Sequence, residues 1–557
     1  MAEPAPVVTD PWHITSLWTY TDSPGGDSEA PALVGYLDDT DGDGAHGVGD
    51  TPVVVLGGKS AVVALDGATG MVRWRWERGG EPTLGAGLAI ADLDADGAPE
   101  VVTVVFETEV DDYDLSVVIL EGEDGAERWR APAGSWHDNN NVPPYAADVD
   151  GNGAAEILVA NYVLSGADGG VAASIPDSGF DYSSAVVAAD LDGDGRQEIL
   201  TEGAVFDGEG VELWNARSAM AEMSAYYTPL VLQADADPEP EVVWVSEGFS
   251  IWNHDGTPTG VVLDLSSQGT AMSWPPCAAD IDGDGATELI VPTKPVEGWF
   301  LQAYRLDGTM AWSKEIESEF WEPPDWFGGC AAFDLDGEGA AEVLFSNHDR
   351  FMVVDGRTGA TLVEYPVGTP KRGTTHPTVA DIDGDGHAEI LLPGEDPYPS
   401  LTVLRHDGAG WAAAGAGWGI TDYAVTNSTA NGYVPPRPAP WWLLDNVWRA
   451  TPSGADVLLA DLSVDVEGAC GDDGSLLVRV ANTGTGPAPA GAVLAVEEGG
   501  VEIARVLLPE VLPATALDDL VVALPEGTGD TLRVTVDAEG AVAECDEADN
   551  TWEGAWR

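Results

Sequence analysis

The string DIDGDGHAEI at residues 381–390 sets a carboxylate at every second position, adds a glycine, and ends on one more acid before an apolar run. Such a pattern wraps hard oxygen donors around a single cation. Asp at positions 1, 3 and 5, a turn-forming Gly at 6, a main-chain carbonyl at 7 and an acid at 9 make up the donor set. Ca²⁺ accepts about six to eight such oxygens in flexible geometry, whereas Mg²⁺ demands a strict octahedron and keeps its waters. Softer metals are disfavoured, because neither Cys nor His holds a side-chain ligand position. His387, at position 7, is read as binding through its main chain with its side chain in solvent. The last acid comes too early for an EF-hand, and strand-forming rather than helix-forming sequence flanks it.

Eight copies of the string follow one another. The expected metal ligands are Asp39, Asp41, Asp43 and, after an insertion, Asp50 in the first; Asp92, Asp94, Asp96 and Glu100 in the second; Asp148, Asp150, Asn152 and Glu156 in the third. The fourth supplies Asp190, Asp192, Asp194 and Glu198. In the fifth, Asp235, Asp237 and Glu241 remain, but Gln233 replaces the first Asp and Pro238 the Gly, so weak binding or none is expected there. The sixth has Asp280, Asp282, Asp284 and Glu288, the seventh Asp334, Asp336, Glu338 and Glu342, and the eighth Asp381, Asp383, Asp385 and Glu389. Together they predict about six to eight bound Ca²⁺ ions.

The intervals between copies, 53, 56, 42, 43, 47, 54 and 47 residues, match one four-stranded propeller blade per repeat. After each acidic loop comes an Asp-Gly turn between short apolar runs, from Asp66-Gly67 to Asp407-Gly408. Each repeat therefore reads strand, acidic loop, strand, variable loop, strand, Asp-Gly turn, strand. Trp74, Trp129, Trp214 and Trp312 follow the second turn, where an outer strand would pack them on the next blade. The segment ITSLWTYT at 14–21 looks like an outer strand without its own blade, able to complete the last one. The fold class is all-β.

Composition narrows the partners. A chain of 557 residues exceeds one core, and 22 Lys and Arg against 97 Asp and Glu give a net charge of −75. Nucleic acid and anionic membranes are poor partners for such a field. No apolar run reaches a membrane span, and the opening MAEPAPVVTDPW shows no basic and apolar signal-peptide regions.

The pattern DxDxDG, followed by an acid and then Val, Ile or Leu, resembles the FG-GAP (or VCBS) repeat of integrin α-subunit propellers and of many secreted bacterial proteins. The resemblance covers residues 30–410 or so. It implies a calcium-binding β-propeller; integrin propellers have seven blades, so eight loops leave seven or eight blades open. Residues 1–455 are assigned to this propeller, with the N-terminal strand and a Trp- and Pro-rich seal near 435–456. Within the seal, Trp441 and Trp442 read as core, with a sugar-stacking platform as the alternative.

Residues 456–557 alternate apolar and polar positions and read as an immunoglobulin-like β-sandwich. This part resembles the CARDB adhesion-related module, through NTG at 482–484 and VDAEGAVAECDEADN at 536–550. Four cysteines allow three pairings. Cys470 with Cys545 is the favoured disulfide, closing a loop of roughly 75 residues. Cys277 and Cys330, on inner strands of neighbouring blades, either pair or stay as buried thiols. A disulfide places the protein outside the cytoplasm.

The function expected is that of a secreted or cell-surface calcium-binding protein, for adhesion or for binding a protein or glycan ligand, and not an enzyme. Candidate ligand contacts on the face opposite the acidic loops are Trp136, Tyr145, Tyr226, Tyr227, Trp321 and Trp326. Two alternatives stand. A calcium-dependent polysaccharide-processing enzyme would need basic residues clustered near a calcium. A quinoprotein-like dehydrogenase is suggested by ALDGATGMVRW at 64–74, which looks like that family's tryptophan-docking repeat.

Overall fold

In the computed structural model the chain divides into two compact units, Pro6–Ser453 and one built on Gly454–Arg557. The structure describes residues 12–555 except 23–29, 41, 43–45, 48–49, 59, 79–86, 95, 107–112, 137–142, 153, 177–184, 202, 218–227, 236, 247, 265–274, 294–297, 317–327, 348–349, 368–374, 395–397, 409, 425, 429–431, 433, 435–437, 439, 445, 452–461, 471–474, 483–492, 500, 509–510, 512–514, 526–527, 530 and 537–550.

The first unit holds eight four-stranded antiparallel sheets. In each, an acidic loop joins the first strand to the second. The first sheet runs Leu33–Gly35, Val53–Gly57, Ala61–Asp66 and Val72–Glu77. The first strands of the others are Leu88–Ala91, Tyr145–Ala147, Val187–Ala189, Thr228–Leu232, Cys277–Ala279, Cys330–Phe333 and Thr378–Ala380. These short, apolar strands are buried on both faces. In fourth strands such as Val72–Glu77 only Trp74 is buried and the rest are half-buried or exposed, so burial falls from first strand to fourth. The Asp-Gly turns join third strand to fourth in the first seven sheets. In the eighth, Ile14–Tyr20 takes the fourth place, antiparallel to Leu401–His406.

Neighbouring sheets meet along a closed circle of contacts. First strands touch between sheets one to five and again between six, seven and eight. Phe249 packs edge-on against Tyr304 between sheets five and six, with ring centroids 5.4 Å apart. Between sheets eight and one, Thr378 Oγ1 donates to the carbonyl of Ala32 at 2.8 Å.

Tryptophans fasten the outer rim. The indole N–H groups of Trp18, Trp74, Trp129, Trp214 and Trp312 each donate to a carbonyl at the Asp-Gly turn of the next sheet, those of Gly67, Gly122, Gly166, His254 and Gly356, at 2.6 to 3.1 Å. The turn must give way to the ring. At Gly125, φ is +69° and a Cβ would lie 2.5 Å from the Trp74 ring, so only glycine fits. Trp74→Phe, which keeps a ring and loses the donor, is expected to cost about 1 kcal/mol. Trp74→Ala, which leaves a cavity at a residue 7% exposed, should cost about 3 to 5. Denaturant titration of the two variants separates the bond from the packing.

Cys277 and Cys330 form a disulfide with Cα atoms 5.5 Å apart, tying the first strands of sheets six and seven. The pair closes 53 residues, so removing it with Cys277→Ala/Cys330→Ala should lower stability by about 4 kcal/mol, read from urea unfolding. Cys545 of the favoured Cys470–Cys545 pair lies outside the described residues.

After the eighth sheet, the described residues between 411 and 451 line the inside of the circle, against the first strands. Trp418 and Val34 exchange two backbone hydrogen bonds, as do Trp448 and Ala278. Gly415 accepts from Asp381, Gly419 from Ile90, and Arg449 from Ala332, all through backbone groups. Trp441 Nε1 donates to the carbonyl of Val231 at 3.0 Å. Trp411, Trp418, Trp441 and Trp448 are at most 1% exposed and Trp442 is 6% exposed. Trp441 and Trp442 are therefore core, not a sugar platform. The seal begins near 411, earlier than the Pro-rich stretch suggested, because Gly- and Ala-rich sequence there carries little strand signal.

The second unit has a three-stranded sheet, Leu462–Cys470, Ser475–Asn482 and Thr515–Ala523, and a four-stranded one of Val501–Leu507, Val493–Glu498, Thr531–Thr535 and Thr551–Ala555. Both contribute to one core that includes Leu476, Val478, Leu494, Val496 and Val534. Among the described residues, no helix is long and apolar enough to cross a membrane.

Candidate metal centres

The acidic loops share one hydrogen-bond plan. The acid at position 9 opens each second strand, and its Oε2 accepts the backbone N–H of position 2: Leu93 to Glu100, Val149 to Glu156, Leu191 to Glu198, Ala234 to Glu241, Ile281 to Glu288, Leu335 to Glu342 and Ile382 to Glu389, at 2.6 to 3.3 Å. One carboxylate oxygen is thus spent on the loop's own backbone. In the first loop Asp50 makes the equivalent bond, accepting from Thr40 N and also from Gly47 N.

The first Asp holds the turn. Asp280 accepts from Gly283 N and Gly285 N, and Asp381 from Gly384 N and Gly386 N, at 2.7 to 2.8 Å. The residue at position 5 accepts from the N–H of position 7, as Asp385 does from His387 and Asn152 from Ala154. Gly-permitted turns and alternating acids therefore curl the loop on itself, while Leu93, Val149, Leu191, Ile281, Leu335 and Ile382 at position 2 point into the core.

The curl brings oxygens together. Ligand atoms of Asp92, Asp94 and Asp96, of Asp148, Asp150 and Glu156, of Asp190, Asp192 and Asp194, of Asp235, Asp237 and Glu241, and of Asp280, Asp282 and Glu288 lie within 4.8 Å of one another in each group, and two further groups do the same. The trios named for the second, fourth and sixth loops do not include Glu100, Glu198 and Asp284 respectively. Asp41 and Asp43 lie outside the described residues. Asp190 Oδ1 is buried and meets no full hydrogen bond.

This concentration of charge is felt by the position-9 acids. Burial first, and neighbouring carboxylates after it, push Glu156, Glu241 and Glu288 up to about 7, Glu198 to about 8, and Glu342 and Glu389 to about 9.

Several loops carry a feature the pattern of acids does not reveal. In the fifth, Gln233 Nε2 donates to the carbonyls of Asp237 and Glu239, so an amide hydrogen sits on position 7, where a cation would draw its main-chain oxygen. In the second, Arg128 pairs with both Asp94 and Glu100. In the sixth, Arg305 lies 3.0 Å from Asp282, and in the eighth Arg405 lies 3.9 Å from Asp383. Strand register could have found Arg305, which sits directly across from Glu288.

Two expectations need correction. The His387 ring is not in solvent: its Nδ1 lies 2.7 Å from the Trp411 carbonyl, where the inner segment covers the eighth loop. Tyr145 is no ligand contact; it begins a first strand, is 3% exposed, and its hydroxyl accepts from Asn427 Nδ2 at 3.1 Å. Tyr226, Tyr227, Trp321 and Trp326 lie outside the described residues, and Trp136 ends the strand Glu127–Trp136.

Residues 334–392 carry an FG-GAP-like repeat. The repeat starts on the first acid of the seventh loop, contains the whole eighth loop, and ends in the second strand of the eighth sheet. No curated protein matches the chain. Among solved structures, the chain is similar to the V. cholerae biofilm matrix protein Bap1, with a TM-score of 0.61 and 18% identity over 79% of this chain and 99% of that one. Identity at that level speaks for the fold alone. BBS1N in its complex with ARL6DN (TM-score 0.39, 11% identity, 72% and 99% covered) and the dihydro-heme d1 dehydrogenase NirN (TM-score 0.37, 15% identity, 66% and 74% covered) are too distant to carry an argument.

Proposed function

We propose that the chain is a secreted or cell-surface binding protein: an eight-bladed, calcium-stapled β-propeller of FG-GAP-like repeats followed by an immunoglobulin-like, CARDB-like sandwich. The observation that carries the calcium reading is Asp190. Its Oδ1 is buried and meets no full hydrogen bond, and Asp190, Asp192 and Asp194 each bring one carboxylate oxygen within 4.8 Å of the others, a crowding of buried charge that is costly unless a cation meets it. All-oxygen donors on a flexible loop suit Ca²⁺. Open sites of this kind work at extracellular, millimolar calcium, and the disulfide suits the same compartment.

Adhesion is in keeping with the biofilm matrix role named for Bap1; the ligand would be an extracellular protein or glycan. The five tryptophan–turn bonds extend the dehydrogenase-like pattern seen at residues 64–74, but they fasten sheets and supply no chemistry. Equilibrium dialysis against ⁴⁵Ca²⁺ tests the reading. Several ions per chain, with one lost in Asp190→Ala/Asp192→Ala, are expected; a bound count of zero would sink it.

A further inference from the structure

The outer strands share an irregularity. Pairing between third and fourth strand skips one residue just before the docked tryptophan: Ala64 pairs with Trp74 and Leu65 with Val72, Ile119 with Trp129 and Leu120 with Glu127, Val205 with Trp214 and Phe206 with Glu212, Ala303 with Trp312 and Tyr304 with Met310. The skipped residues are Arg73, Arg128, Leu213 and Ala311. A bulge frees its residue from the ladder and re-aims the side chain. In the second sheet that side chain turns to the acidic loop. Arg128 Nη1 donates to Glu100 Oε1 at 2.8 Å, Nη2 pairs with Asp94, and Nε lies 3.6 Å from Glu121. Both Glu100 oxygens are then engaged, since Oε2 already takes the N–H of Leu93 at 2.9 Å. The fourth loop differs at the same slot: Leu213 is 52% exposed, and Asp190 Oδ1 meets no full hydrogen bond.

We propose that Arg128, turned out of the ladder by its bulge, is the resident cation of the second loop, which therefore binds no calcium. The physical case is one of competition. A guanidinium is always charged and bonds two carboxylates in a fixed fork. It is tethered to the sheet, so it meets Asp94 and Glu100 without the loss of freedom a diffusing ion suffers, and a metal would have to displace it. The proposal rests on the calcium reading for the other loops, but not on their number.

Reciprocal exchange tests it, with calcium alone as the probe. Arg128→Leu should bind one ion more than the parent chain, and Leu213→Arg one fewer. Glu100→Gln should leave the parent count unchanged, whereas Glu198→Gln should weaken one site at least tenfold. Arg128→Leu should also melt lower than the parent in chelator and recover in calcium, as Glu100, whose side chain is 2% exposed, loses its counter-ion and then gains one. An unchanged count in Arg128→Leu, or loss of an ion in Glu100→Gln, would overturn the proposal. A parent chain that binds no calcium while Arg128→Leu binds one ion would remove the calcium reading of the other loops and leave Arg128 in its role.

Discussion

In excess chelator the Pro6–Ser453 unit is expected to melt more than about 10 °C below its midpoint in millimolar calcium. An ion bound only to the folded chain, and present at 100 times its Kd, adds about 2.7 kcal/mol, and several loops act together. The chelated protein should also show an unusual response to pH. Glu156, Glu241 and Glu288 titrate near 7, Glu198 near 8, and Glu342 and Glu389 near 9, all above the 4.5 of a free glutamate. A folded pKa raised above the unfolded one means that the fold binds the extra protons. That contribution is complete below about 4.5 and is lost as pH rises through 7 to 9, so the metal-free midpoint should fall from pH 5 to pH 9. Calcium removes the trend, because the ion stabilises the ionised carboxylates. Melting curves at pH 5, 7 and 9, with calcium and with chelator, decide the matter; superimposable curves would mean the loops are solvated turns.

The second large effect is expected at the buried ion pair of the inner segment. Arg449 is 1% exposed and Asp422 2%, and their side chains bond directly. Arg449 also anchors the segment through its backbone: its N–H donates to Tyr423 at 2.8 Å, its carbonyl accepts from Ala332 at 3.1 Å, and its φ is +47°, a conformation that side chains other than glycine's adopt only under constraint. Asp422→Ala leaves the buried guanidinium, whose Nη1 reaches only the Pro276 carbonyl at 3.4 Å, without its counter-ion and should cost about 3 to 5 kcal/mol. Arg449→Met/Asp422→Leu removes both charges and should recover most of that loss, because replacing a buried pair by apolar groups is near neutral. Denaturant midpoints of the single and double variants measure the difference. A double variant as unstable as the single one would show that the φ and backbone bonds of residue 449, not the charges, hold the segment.

Residue order alone was enough to locate the repeats, the loops, the turns and the acids within them. Those features depend on neighbours within ten residues or so: alternating carboxylates, a glycine that permits the turn, and an apolar strand beyond it. The outer tryptophans and the closing strand Ile14–Tyr20 were legible for the same reason, since both follow once the repeat is phased. What the order of residues left open was everything joining distant parts of the chain. It allowed Cys277 and Cys330 to pair or not; the strands of sheets six and seven brought them together. It set Tyr145 in a ligand loop, but the chain had already entered a first strand, and Asn427, 282 residues away, covers it. It gave no sign that residues from 411 would line the inside of the circle, or that a bulge would turn Arg128 towards Asp94, 34 residues upstream. Local chemistry made the loops; only folding decided which of them meet a guanidinium, an amide or neither, because that choice lies in contacts between residues far apart in sequence.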